Sequence, residues 1–220
     1  MGQTITLTAA DGHSLSAYQA GLPDAPRALV VLQEIFGVNH HMRRVADGFA
    51  DVGFHVIAPA LFDRAERGVE LGYDKSGIDR GIALRARIDE AATIADIEAA
   101  AAHLSHETVG VIGYCWGGTL AWLAATRTTR FKAACGWYGG GIAKARAERP
   151  NCPVQLHFGL EDHSIPPADI ALIRETHPEV EIFTYEGAGH GFGCDERPSY
   201  DAKSAALAQE RTLAFLNHNL

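Results

Sequence analysis

Two stretches near the start alternate polar and apolar residues, TITLT (4–8) and SLSAYQ (14–19), and flank AADGH (9–13). Period-two alternation places every second side chain on one face of a strand, and Asp11-Gly12 is a strong hairpin signal, so an N-terminal β-hairpin is expected. Beyond it the pattern changes. Continuous apolar runs recur as ALVVLQE (28–34), FHVIAP (54–59), TVGVIGY (108–114), KAACGWY (132–138), PVQLHFG (153–159) and EVEIFTY (179–185). Runs of this kind suit strands buried on both faces.

Helical periodicity lies between them. The longest segment spans 79–104, where Leu84, Ile88, Ala91 and Ala95 fall on one face. GGTLAWLAAT (117–126), PADIALIRETH (167–177) and SAALAQERTLAFL (204–216) complete the set. Strands alternating with helices predict an α/β architecture, a mostly parallel sheet with helices on both faces. The gaps are too short for a separate lid, so residues 1–220 are read as one domain. The one long irregular stretch, LFDRAERGVELGYDKSG (61–77), is a candidate site lining.

Composition narrows the function. A chain of 220 residues, 47% hydrophobic and 21% charged, can bury a sizeable core without metals or disulfides. A net charge of −8 argues against nucleic-acid binding as the main role. Cys115, Cys135, Cys152 and Cys194 follow neither a disulfide nor a zinc spacing. The N-terminus lacks a signal-peptide pattern, and no stretch approaches the roughly 20 apolar residues of a membrane span. A cytoplasmic protein with reduced thiols is expected, with a small-molecule substrate, neither nucleic acid nor membrane as partner, and a monomeric or small homo-oligomeric state.

One of those cysteines stands in a setting of its own. Gly113-Tyr114-Cys115-Trp116-Gly117 joins a buried strand to a helix with the G-x-S-x-G spacing of a nucleophile elbow, sulfur replacing the hydroxyl. The plain alternative is a core cysteine after a strand. The flanking glycines and the helix that follows favour the nucleophile, because a helix N-terminus stabilises thiolate. An elbow requires an acid and then a histidine on later loops. Glu161, Asp162 and His163 follow the 153–159 run, and His190 lies between Gly189 and Gly191 after the 179–185 run. His190 is expected to accept the thiol proton and Asp162 to hold its tautomer, with Glu161 as the adjacent competitor. Glu34 ends the 28–34 strand where hydrolases of this architecture carry an oxyanion loop. The backbone N–H groups of Ile35 and Trp116 are the candidate oxyanion donors. For Glu34, a carboxylate paired with an arginine is the plain alternative.

QEIFGVN (33–39), GYCWGG (113–118), Gly159-x-x-Asp162 and GHGF (189–192) together resemble the dienelactone hydrolase family, over almost the whole chain. The resemblance implies an α/β-hydrolase fold without a lid and no metal or organic cofactor. It implies opening of an enol lactone, or cleavage of small esters, in the breakdown of aromatic compounds. It assigns nucleophile, acid and base to Cys115, Asp162 and His190, makes Glu34 the group that activates the thiol, and adds Phe36, Arg80 and Tyr138 as substrate contacts. In the family, arginines bind a substrate carboxylate, one of them shortly after the catalytic histidine. Here Cys194 holds that place, Arg197 is the first arginine downstream, and Arg80, Arg85 and Arg87 compete for the other role. Two rivals remain. A thiol redox sensor or glyoxalase-like protein would favour histidine after the cysteine, where Trp116 stands. A binding protein with a degenerate site would not need the full Cys–Asp–His set.

Overall fold

The alternating segments at the start form β1 (Gln3–Thr8) and β2 (Ser14–Ala20), paired antiparallel with Leu7 opposite Leu15. Gly12 takes φ +83° in the turn, and the Asp11 carboxylate accepts the His13 N–H at 3.0 Å. The structure is a computed structural model and describes residues 2–220. Its strands form a mostly parallel sheet of eight. The chain divides into two compact halves, Met1–Gly110 and Val111–Leu220.

In the first half, β3 (Arg27–Leu32) and β4 (Phe54–Pro59) run parallel, and β2 pairs antiparallel with β4, giving the order β1-β2-β4-β3. Every residue of β4 is buried, which requires cover on both faces. Helices α1 (His40–Asp51) and α3 (Glu90–Leu104) pack on it. The hydrophobic reading of the sequence has no helix at α1. The signals were Asn39, whose side chain accepts the Met42 N–H at 3.1 Å as an N-cap, and Met42, Ala46 and Phe49 on one buried face.

The single helix expected over 79–104 is two helices, α2 (Lys75–Arg85) and α3, with a turn between them. Asp89 ends the run by capping a new helix: its carboxylate accepts the Ala92 N–H at 3.0 Å. The helical phase restarts there. Leu84 is buried, but Ala91 is exposed and Ala95 half-buried, and the covered face of α3 is Ile94, Ile97, Ala101 and Leu104. Within the irregular stretch, Leu61–Arg64 forms a 3-10 turn, and Arg64 grips the wholly buried Asp96 of α3 with two bonds of 2.7 Å.

The second half carries all but the first two residues of β5 (Val109–Tyr114), then β6 (Ala133–Trp137), β7 (Val154–Gly159) and β8 (Glu181–Tyr185) in that order, with β6, β7 and β8 parallel. The first three are buried at every position, whereas β8 at the sheet edge is partly exposed. Helices α4 (Trp116–Arg127), α5 (Ile142–Ala145), α6 (Pro167–Thr176) and α7 (Ala202–Asn219) complete it. Parallel strands deliver their C-terminal ends to one edge of the sheet, where the connecting loops collect functional side chains.

Candidate active site

Cys115 is the single residue between β5 and α4, with φ 56° and ψ −115°. That conformation costs a residue with a Cβ about 1–3 kcal/mol, and it persists only where neighbours hold it. Two contacts do so. The Cys115 N–H donates to the Trp137 carbonyl at the end of β6 (3.0 Å), and the Thr119 N–H donates to the Cys115 carbonyl (3.2 Å). The tight turn explains the glycines: a Cβ on Gly113 would lie 1.9 Å from the Gly117 carbonyl oxygen, and one on Gly118 would lie 2.4 Å from that of Trp137. Trp116, one of the two expected oxyanion donors, opens α4 and so places its backbone N–H at a helix N-terminus.

His190 follows β8 and reaches both partners. Its Nε2 lies 3.2 Å from Cys115 Sγ, and its Nδ1 lies 2.6 Å from Asp162 Oδ2. The second Asp162 oxygen accepts the Ser164 N–H at 2.8 Å, which fixes the carboxylate just after β7. Asp162 is buried while Glu161 and His163 are exposed, so Asp162 is the acid that meets the histidine. Ser199 Oγ donates to the His190 carbonyl at 2.7 Å, and the ring of Tyr138 stands edge-on to the imidazole at 5.3 Å. Tyr138 has φ 40°; of the three non-glycine residues with positive φ among those described, two, Cys115 and Tyr138, contact His190.

Electrostatics follow from this packing. Burial by itself would lower the His190 pKa, but the Asp162 carboxylate and the Cys115 sulfur favour the imidazolium and lift it to about 10. Burial likewise pushes Asp162 up, yet the bond to His190 and the Ser164 N–H hold it below the usual carboxylate value. A thiol, an imidazole and a carboxylate in one hydrogen-bonded line can move a proton from sulfur to nitrogen while the carboxylate supports the charge on the ring.

The remaining expected residues are placed as follows. Tyr138 is wholly buried, packed on His190 and on Phe192. In the first half, β3 ends at Leu32, so the buried Glu34 lies two residues past the strand and not on it, with Ile35 and Phe36 next. Phe36 is buried against the Tyr73 ring at 4.5 Å. Arg80 is exposed and pairs with Glu66, and Arg87 donates to the Ala65 carbonyl at 3.0 Å. Two residues of the second half were not read from the sequence, Trp137, whose carbonyl holds Cys115, and Ser199. Nothing in local spacing points to either, since their roles come from distant partners.

Comparison with known proteins identifies the family. Residues 15–220 match the model of the dienelactone hydrolase family. The chain is 35% identical to a carboxymethylenebutenolidase of Pseudomonas putida over 224 residues, covering 96% of this chain and 94% of the relative. It is 39% identical over 203 residues to a candidate carboxymethylenebutenolidase of Synechocystis, covering 83% and 82%. Among solved structures, a candidate dienelactone hydrolase from Klebsiella pneumoniae superposes with a TM-score of 0.81 at 28% identity, over 98% of this chain and 99% of that one.

Proposed function

The chain belongs to the dienelactone hydrolase family and is a hydrolase of esters or lactones, and from that premise we propose that it works through a thioester on Cys115. The observation that carries this reading is the unbroken line from Cys115 Sγ through His190 to Asp162, at 3.2 Å and 2.6 Å. Sulfur attacks the acyl carbon with the thiol proton already held on His190 Nε2, the side that the raised His190 pKa favours. The tetrahedral adduct collapses, the C–O bond breaks, and His190 returns the proton to the leaving oxygen. For a lactone the leaving group stays attached as the far end of the opened ring. Water, deprotonated by His190, then attacks the thioester; the C–S bond breaks, and the acid product and free thiol are released. The Trp116 N–H at the start of α4 supports the negative charge on the carbonyl oxygen in both adducts.

The test is a trapped intermediate. An activated ester should give a burst of product followed by slower release, and mass spectrometry should place the acyl group on Cys115. Acylation of Cys135, Cys152 or Cys194 instead, or full turnover by Cys115→Ala, would defeat the mechanism.

A substrate bearing a carboxylate is the finer reading. Arg197, although three places past the position the family pattern suggests, folds back on the histidine loop. Gly191 has φ +78°, and a Cβ there would meet the Arg197 guanidinium at 2.4–2.9 Å. That brings a cation within one residue of His190, suited to holding an anionic group beside the scissile bond. Arg197→Ala should raise KM for a carboxylate-bearing lactone about tenfold or more, as expected for one charge-assisted hydrogen bond, and leave KM for a neutral ester nearly unchanged. Equal changes for both substrates would remove Arg197 from recognition.

A further inference from the structure

Behind the relay lies a second, wholly internal chain of polar side chains. Thr212 of α7 is buried, and its Oγ1 accepts the Trp137 indole N–H at 3.1 Å. The same oxygen lies 3.1 Å from His157 Nε2 and 3.5 Å from Cys135 Sγ. His157 has Gln155 Oε1 at 2.9 Å from Nε2 and the Tyr185 hydroxyl at 2.7 Å from Nδ1.

The donors can be assigned. Gln155 Nε2 donates to Glu181 at 2.8 Å, which turns Oε1 toward the imidazole. His157 therefore carries its proton on Nε2, shared between Gln155 and Thr212, and Nδ1 accepts from the Tyr185 hydroxyl. Arg211 donates to that hydroxyl oxygen at 3.3 Å. With both N–H groups accepted by Thr212 Oγ1, the Cys135 sulfur at 3.5 Å is the partner within reach of the hydroxyl's own hydrogen. Burial lowers the His157 pKa to about 3 and raises the Cys135 thiol to about 12, so both stay neutral.

This chain ends on Trp137, and Trp137 touches Cys115 and the loop that carries His190. Its carbonyl holds the Cys115 N–H. Its ring stacks on Phe192, two residues past His190, with centroids 5.5 Å apart and planes 23° apart. The next residue, Tyr138, contacts the imidazole and donates its N–H to the His157 carbonyl at 2.8 Å. Two separate loops thus take their positions from one residue, the first from its carbonyl and the second from its indole, and the indole is tied to a hydroxyl on α7.

We propose that Thr212, through Trp137, is a positioning residue that sets the distance between Cys115 Sγ and His190 Nε2. The inference rests on the thioester mechanism proposed above. Thr212→Val keeps the shape and removes the acceptor for the indole. A displacement on the order of 1 Å at a reacting pair can cost up to 10²-fold in rate. Thr212→Val should therefore lower kcat about tenfold or more with KM within twofold of wild type, and Thr212→Ser should restore it. Trp137→Phe, which keeps the stack and removes the N–H, should behave as Thr212→Val does and serves as the second variant should valine impair folding.

The decisive reading is an NMR titration of the His190 ring in the folded proteins. Contact with the sulfur contributes to its raised pKa, so Cys115→Ala should lower the midpoint, and Thr212→Val should lower it in the same direction. If Cys115→Ala leaves the midpoint where it was, the relay itself is wrong. If Cys115→Ala moves it while Thr212→Val and Trp137→Phe leave both the midpoint and kcat at wild-type values, the relay stands and the positioning role falls.

Discussion

His190 and His157 lie in the same half of the protein, and each engages both ring nitrogens with neighbouring side chains. They titrate in opposite directions, to about 10 for His190 and about 3 for His157. Burial lowers both. His157 meets a phenol, an amide oxygen and a hydroxyl, and the Arg211 charge lowers it further. His190 meets a carboxylate and a sulfur, and these overcome the cost of burial. The same side chain thus holds a proton tightly in one place and refuses it in the other. The number of hydrogen bonds does not separate them; the charge on the partners does.

Removing that charge should break the contrast most severely. Asp162→Asn keeps the shape of the acid and offers His190 a neutral partner. Turnover should fall about 10²–10⁴-fold, the range expected for loss of an effective general base, and the His190 midpoint should drop toward its ordinary value. Steady-state kinetics with an activated ester, together with the ring titration, check both. A variant with wild-type turnover would show that the carboxylate is not what distinguishes the two histidines.

A smaller effect should sharpen the contrast through stability. His190 binds its proton more tightly in the folded state than the ordinary pKa of 6.5 allows. Its contribution is fully present below pH 6.5 and is lost as pH rises from there through about 10. His157 does the reverse: the unfolded chain takes up the proton that the folded protein refuses, so stability falls as pH drops from 6.5 toward 3. Each group adds a slope of at most about 1.4 kcal/mol per pH unit within its own window. Urea unfolding across pH 3–10 should show both limbs in the wild type. His190→Gln should flatten the alkaline limb alone and His157→Gln the acid limb alone. A variant that flattens the wrong limb, or neither, would contradict the assignment of that histidine.

Much of the fold could be read along the chain. The alternating hairpin, the buried strands and the helices after Cys115 and Pro166 all follow from local periodicity, which a few neighbouring residues express. Two elements depart from apolar periodicity, and each carries a local signal in a capping side chain. Asn39 announces α1, and Asp89 restarts the helix that apolar spacing alone had run from 79 to 104. Capping side chains act on backbone groups two or three residues away, so they are legible to a reader who weighs them against periodicity.

The candidate site divides along the same line. The sequence by itself determined the elbow, because a strand-to-helix turn with φ 56° at Cys115 needs glycine where the backbones come within contact distance, and glycine is visible in the chain. It also determined the order cysteine, acid, histidine. Only the tertiary structure decided that Asp162 and not Glu161 meets the histidine, that Arg197 folds back on Gly191, and that Thr212 fixes an indole 75 residues away in the chain. A hydrogen bond or a displaced pKa depends on distance and on exclusion of water. The chain creates both only when β6, β7 and α7 pack together, so no local spacing can record them.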